Sequence, residues 1–365
     1  MEAGQAPRIL FIRPDHIGDV LLTLPAVAAL RRALPGAHLS YAVPARGVEV
    51  AERCPYLDET MSIRFPPFGV QELDGSAWRQ ALRVEASKLA NGFDAALVIR
   101  PDDPWSGELV ARAAISIRLG FDMPRTRPHL TDVLRVPGDR HVALDGFDLA
   151  DALLARLSVA PTERRLDPSL ELLRDDEEQA GEILEDVGAE EPLVVMHPGS
   201  GWPLKNWPVL RWRQLAEELA RRTGTRPLVA GTWGERSVVR QVVDGRRGID
   251  IAGRLSFGGL AVLHRRARLV VTTDSGALHL AAAMGAPAVA LFGPGDPFRF
   301  APLAPASRVR VVRVGLPCSP CGTLEHPPCG AARDPACVMG IGVERVLRAA
   351  GELLRLPPLP RPGSH

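Results

Sequence analysis

Residues 269–294 read LVVTTDSGALHLAAAMGAPAVALFGP and set Asp274, Ser275 and Gly276 between an apolar strand-like run and a small-residue run of helical composition. The first backbone N–H groups of a helix lack internal partners, and the aligned peptide dipoles add partial positive charge there. A diphosphate can settle at such a turn once Gly276 allows close approach. His279, five residues beyond Asp274, would point toward the same place if the helix begins at Ser275. The same residues also suit purely structural work, with Asp274 or Ser275 as an N-cap, Gly276 as a turn residue and His279 as a core histidine.

Three further groups could carry chemistry. His197-Pro198-Gly199-Ser200 ends an apolar run, and Lys205-Asn206-Trp207-Pro208 follows just before a helical pattern. Ser200 and the nearby N–H groups can bind phosphate oxygens, and the Lys205 ammonium can neutralise charge growing on a departing diphosphate. Glu235, after Gly231-Thr232-Trp233-Gly234, could accept ribose hydroxyls or simply start the next helix. Asp19, in Gly18-Asp19-Val20-Leu21-Leu22, sits where a strand's turn becomes a helix; a carboxylate there can take the proton of an attacking hydroxyl or can merely cap the helix. Asp15 and His16 are weaker candidates for the same task. Arg118, Arg125, Arg127 and His141 form a local run of positive charge that would suit an anionic acceptor, or a solvated face.

Four of the five cysteines fall at Cys318, Cys321, Cys329 and Cys337, with His326 between them. Four thiolates in so short a stretch could form a structural zinc site, although the longer spacings differ from the usual paired knuckles. A Cys318–Cys321 redox pair, free thiols and facultative disulfides are the other readings. The distribution is not that of a secreted disulfide scaffold. With 44 basic and 43 acidic residues in 365, the charge balance gives no support to nucleic-acid binding, so an anionic ligand must be met by local clusters. No secretory signal pattern and no apolar run of membrane-spanning length is visible, which gives the expectation of a soluble, cytoplasmic protein.

The elements that must position these groups alternate. Strand-like runs at 8–13, 39–43, 95–99 and 115–120 are interleaved with helical patterns at 20–34, 80–89 and 144–157. The pattern restarts at 193–197 and continues with helix 210–222, strand 227–230, helix 237–244, strand 250–252 and helix 260–267, then the 269–294 segment. Residues 173–191 read as a helix plus linker. Such βαβ alternation implies α/β domains with mostly parallel sheets, and ligands lie beyond the carboxyl ends of such strands. Two Rossmann-like domains are expected, 1–188 and 189–356, with a cleft between them and no residue-level repeat, followed by a helix at 343–356 and a disordered tail at 357–365.

The chain resembles the glycosyltransferase family 9 proteins, the ADP-heptose:lipopolysaccharide heptosyltransferases, over roughly residues 8–350. The resemblance rests on Gly18-Asp19-Val20-Leu21-Leu22-Thr23-Leu24-Pro25, on His197-Pro198-Gly199-Ser200 with Lys205-Asn206-Trp207-Pro208, and on Thr273-Asp274-Ser275-Gly276-Ala277-Leu278-His279-Leu280 followed by Phe292-Gly293-Pro294. It implies a GT-B architecture and an inverting, metal-independent transfer, with the acceptor in the first domain and the nucleotide sugar in the second. It implies Asp19 as the base, Lys205 on the donor phosphates, the Asp274-Ser275-Gly276 turn with His279 at the diphosphate, and Glu235 near the ribose. It also implies a last helix that crosses back onto the first domain. The four-cysteine insert departs from the best-known members.

The expectation is therefore an inverting transferase that uses a nucleotide-sugar donor and an anionic glycan or glycolipid acceptor. It requires no cofactor for catalysis and touches a membrane only peripherally, through the acceptor lipid. The rivals are a nucleotide-sugar epimerase or hydrolase of the same architecture, and a non-catalytic glycan- or nucleotide-binding module or metal-dependent scaffold.

Overall fold

The computed structural model describes residues 6–66, 76–136, 138, 140–189, 191–245 and 247–357. The chain divides into two compact units, Met1–Glu171 and Leu172–His365. Apart from Pro357, the expected disordered tail lies outside the described residues.

The first unit is a six-stranded parallel sheet. Its strands are β1 (Arg8–Ile12), β2 (His38–Val43), β3 (Glu59–Ser62), β4 (Ala95–Val98), β5 (Ile117–Phe121) and β6 (Asp132–Leu134), in the order β3-β2-β1-β4-β5-β6. Helices α1 (Ile17–Ala33), α2 (Ala45–Ala51), α3 (Ser76–Leu89), α4 (Pro104–Arg112) and α5 (Ala143–Arg156) link and cover it. Leu10, Ile12, Ala96 and Val98 alternate toward α3 and α4, where they meet Leu82, Leu89 and Leu109. On α1 and α5, Ala26, Ala29 and Phe147 pack together at Gly146, where an added Cβ would come within 2.9 Å of Ala26. This continuous burial on both faces is what a parallel sheet requires.

The second unit begins with α6 (Arg174–Asp186) and carries β7 (Val194–His197), α7 (Val209–Thr223), β8 (Leu228–Val229), α8 (Arg236–Val243), β9 (Ile249–Asp250), α9 (Phe257–Arg266), β10 (Leu269–Thr273), α10 (Gly276–Ala283), β11 (Ala288–Leu291), the single-turn α11 (Pro297–Phe300), β12 (Val309–Val312), α12 (Ala336–Met339) and α13 (Val343–Leu354). Its sheet runs β12-β11-β10-β7-β8-β9, all parallel. Counted within its own unit, each sheet has the strand order 3-2-1-4-5-6, so the two halves repeat in topology without repeating in sequence. Helix α7 shows how the pattern works: Trp212, Leu215, Ala216 and Leu219 line its buried side and Gly224, at φ 80°, ends it in the left-handed conformation.

Two expectations are corrected here. The division comes before residues 173–191 rather than after them, because α6 packs on α9: Ala180 and Leu184 are buried, and Gln179 Oε1 accepts from Ser256 N and Oγ at 2.9 and 2.8 Å. The last helix packs on its own unit, with Val346, Leu347 and Ala350 joining Trp212 and Leu215 in one core.

Candidate functional site

In an open parallel sheet, the crevice lies where neighbouring strands send their chains to opposite sides. In the first unit that point is the β1/β4 pair. Beyond β1, the Arg13 guanidinium holds three groups: Nε reaches Asp15 Oδ2 at 2.9 Å, Nη1 reaches Thr23 Oγ1 at 3.0 Å and Nη2 reaches Asp19 Oδ1 at 3.2 Å. Beyond β4, Arg100 Nη1 meets the other oxygen of Asp15 at 3.2 Å. Arg46 Nη2 donates to the carbonyls of Pro14 and Asp15. Burial disfavours the Arg13 charge, but Asp15 and Asp19 outweigh this and raise its pKa.

Asp19 lies inside the first turn of α1, which starts three residues earlier than the sequence pattern indicates. Its Oδ2 accepts from His16 N at 3.3 Å, so it does close the helix end, yet its side chain stays 22 % exposed. Capping and availability to a ligand therefore coexist. Asp15 is buried between two arginines and serves to align Arg13.

In the second unit the corresponding point is the β7/β10 pair. Thr273 Oγ1 donates to Gly199 O at 3.1 Å, tying the loop after β7 to the end of β10. Lys205 Nζ meets Asp274 Oδ2 at 2.7 Å, with side chains 17 % and 7 % exposed. An added Cβ at Gly295 would lie 2.2 Å from Asp274 Oδ2, so the carboxylate is lodged between Lys205 and the backbone after β11. Ser275 is the N-cap position of α10 without a side-chain cap, its Oγ lying 3.2 Å from Thr272 Oγ1, and Gly276 is the first helical residue. His279 is buried in the second half of the first α10 turn.

Ser200 is occupied locally: its Oγ lies 2.7 Å from Trp202 O and 2.8 Å from Asn206 Oδ1 and braces the loop that carries Lys205. Glu235 Oε2 accepts from Thr232 N and Oγ1 at 2.7 and 2.9 Å, the helix-starting role weighed from sequence. Its Oε1 lies against Gly199, where an added Cβ would be 1.9 Å away. One carboxylate oxygen is thus structural while the other borders the β7 loop. His197, at the end of β7, is buried; burial lowers its pKa, opposed by the charge of Glu235.

The proposed acceptor arginines separate. Arg118 sits at the amino-terminal end of β5, where its Nε and Nη1 donate to His129 O and Ile115 O at 2.7 and 2.6 Å, so it braces backbone at the sheet edge opposite Asp19. Arg125 and Arg127 follow the carboxyl end of β5, and Arg127 pairs with Asp122 at 2.8 Å. His141 Nδ1 accepts from Ala143 N at 3.2 Å near the start of α5. The positive charge beside Asp19 comes instead from Arg13, Arg46 and Arg100. Their signal in the sequence is positional: Arg13 ends the 8–13 run and Arg100 immediately follows the 95–99 run.

The cysteines all stand as free thiols. Cys337, on α12, packs in the core with Val338 and Ile341, whereas Cys318 and Cys329 are exposed. Burial raises the Cys337 pKa. Among the described residues no group of three or more His, Cys, Asp or Glu side chains is gathered to hold a metal ion, so the zinc expectation finds no assembled donor set. No helix of the described residues is long and apolar enough to cross a membrane.

The family model for glycosyltransferase family 9 (heptosyltransferase) matches residues 82–327, which contain Lys205, Glu235 and Asp274. Lipopolysaccharide heptosyltransferase 1 of Pseudomonas aeruginosa is 27 % identical over 324 residues, 86 % of each chain. Among solved structures, a glycosyltransferase family 9 protein from Veillonella parvula aligns with a TM-score of 0.75 at 25 % identity, over 96 % of this chain and 97 % of that one. The ADP-heptose lipopolysaccharide heptosyltransferase II of E. coli aligns with a TM-score of 0.73 at 21 % identity, over 95 % and 98 %. The fold class is the expected α/β GT-B. With two switch points furnished as described and a family match over most of its length, the chain is a glycosyltransferase and belongs to glycosyltransferase family 9 (heptosyltransferase).

Proposed function

We propose that the protein transfers a heptose, or a closely related sugar, from ADP-heptose to a lipopolysaccharide core or other cell-surface glycan, with inversion at the anomeric carbon. The observation that carries this reading is the Lys205–Asp274 pair at the β7/β10 switch point, beside Gly199 and the amino end of α10. The ammonium and the free N–H groups suit the two phosphates of a nucleoside diphosphate.

In this mechanism Asp19 takes the proton of the acceptor hydroxyl as its oxygen forms the new bond to the anomeric carbon. The bond from that carbon to the diphosphate breaks, and the nucleoside diphosphate leaves with its electron pair. Lys205 and the α10 amino end offset the charge that develops on it, commonly the largest catalytic contribution. Arg13 and the backbone N–H of His16 hold the Asp19 carboxylate in one orientation, which fixes where the proton is received. Arg46, Arg100 and Arg125 supply positive charge for an anionic acceptor. The chemistry needs no metal, and the protein works at the cytoplasmic face of the membrane, meeting it through the acceptor lipid.

The test is a transfer assay with ADP-heptose and a heptose-deficient lipopolysaccharide acceptor, with and without EDTA. Asp19→Asn should lower turnover by at least about a thousandfold, roughly 4 kcal/mol of barrier, and leave ADP affinity within twofold. Consumption of donor without acceptor, or full activity in Asp19→Asn, would refute the mechanism.

A further inference from the structure

The carboxyl ends of four adjacent strands carry a graded set of groups. In the order β10, β7, β8, β9 they present Asp274 with Lys205, then Gly199, then Thr232 to Glu235, then Gly253. These positions are linked across the sheet by Thr273 Oγ1 to Gly199 O and by Gly253 N to Gly231 O at 2.9 Å. Strands lie about 4.8 Å apart, so the row spans about 14 Å, the scale of an extended nucleoside diphosphate. With the diphosphate at Lys205, as the proposed function has it, and the ribose at Glu235, the acceptor of ribose hydroxyls expected from the sequence, the base falls over the ends of β8 and β9.

What stands there is Trp233. It is 69 % exposed, the largest exposure among the big apolar residues described. The Arg236 guanidinium lies 4.7 Å from its ring centroid. Gly253, at φ +70°, lets the indole approach so closely that an added Cβ would be 2.7 Å from Trp233 Cε3. Any other residue at 253 would be strained in that conformation and would displace the ring. An indole ordered by a cation and a glycine yet left open to solvent contributes little to the core and offers a rigid flat surface.

We propose that Trp233, seated on Gly253 and backed by Arg236, is the stacking wall for the nucleobase of the donor, and that base preference is set in this corner. The inference rests on the nucleotide-sugar reading of the site. Base–aromatic stacking changes affinity by roughly five- to a hundredfold on alanine substitution.

Calorimetric titration of the full-length protein with ADP, UDP, GDP, CDP and inorganic pyrophosphate tests it. Trp233→Ala should weaken the best-bound nucleoside diphosphate by that factor while leaving pyrophosphate unchanged, and Trp233→Phe should restore most of the loss. Equal weakening of nucleotide and pyrophosphate would assign Trp233 to shaping the Glu235 turn and overturn the proposal. No change in either would also overturn it. If the unaltered protein binds pyrophosphate and no nucleoside diphosphate better, the donor reading itself fails, whereas normal nucleotide binding in Trp233→Ala refutes only the stacking wall.

Discussion

Gly295 stands so close to Asp274 that its missing side chain is part of the proposed phosphate site. An alanine there would set its Cβ 2.2 Å from Asp274 Oδ2, a separation no real contact tolerates, and the carboxylate is too buried to swing into solvent freely. The cheapest escape is to rotate Asp274 away from Lys205, which frees the ammonium from its 2.7 Å partner and misplaces it. Gly295→Ala is therefore expected to cut turnover at least about tenfold, equivalent to about 1.4 kcal/mol, with a melting temperature within a few degrees of the original protein. Unchanged turnover would show that the geometry of this pair is not used. Arg13 makes the same point in the first unit. Its planar fork serves Asp15, Asp19 and Thr23 at once, which a lysine's single ammonium cannot reproduce. Arg13→Lys should lower kcat while sparing ADP affinity, and loss of ADP affinity in that variant would argue against its role as the positioner of Asp19.

Helix α6 decides where the second unit begins. Asp176 sits against Gly258 at the start of α9, Gln179 serves the Ser256 cap, and Glu177 and Asp186 pair with Arg265 and Arg254. A fragment starting at residue 172 should fold cooperatively, and one starting at 189 should lose about 3 kcal/mol or more, the scale of exposing the Leu184 and Ile183 contacts. Equal denaturant midpoints for the two fragments would contradict this. The sequence misassigns α6 because its acidic, polar face dominates the composition, while Ala180, Ile183 and Leu184 form only a narrow apolar stripe. The central strands and helices were legible because burial on both faces leaves continuous apolar runs, as in β1, β4 and β10. Edge strands such as β6 and β12 were not, since partly exposed residues there give no such run. The placement of candidate groups was readable where they stood in a strand-to-helix turn, as at Asp19 and Asp274. It was missed where only the tertiary fold brings strand ends together, as with Arg13 and Arg100.

Over the whole molecule, the two units should respond to acid in opposite directions. In the second, His264 is fully buried in α9 with neither ring nitrogen hydrogen-bonded among the described residues, and burial, together with His197, lowers its pKa from 6.5 to about 3. The pKa of His197 is lowered too, chiefly by burial. Unfolding restores the ordinary value, so the unfolded chain takes up protons that the folded one refuses. Stability from His264 is complete above pH 6.5 and declines as pH falls through the window toward 3, by about 1.4 kcal/mol per unit, and His197 acts in the same direction. In the first unit, burial raises the Asp103 carboxyl from 3.8 to about 6, only partly offset by its bonds to Ser106. Here the folded form holds the proton more tightly, so stability is gained as pH falls from 6 toward 4 and lost as pH rises through 6. At pH 5 the second unit should therefore open first. Hydrogen exchange, corrected for intrinsic rates, should show lost protection in β7, β10 and α9 relative to pH 7 while β1 and β4 keep theirs. His264→Leu should remove part of the acid sensitivity without raising that of the first unit. Earlier loss of protection in β1 and β4, or an unchanged slope in the leucine variant, would mean that these buried groups do not govern the response.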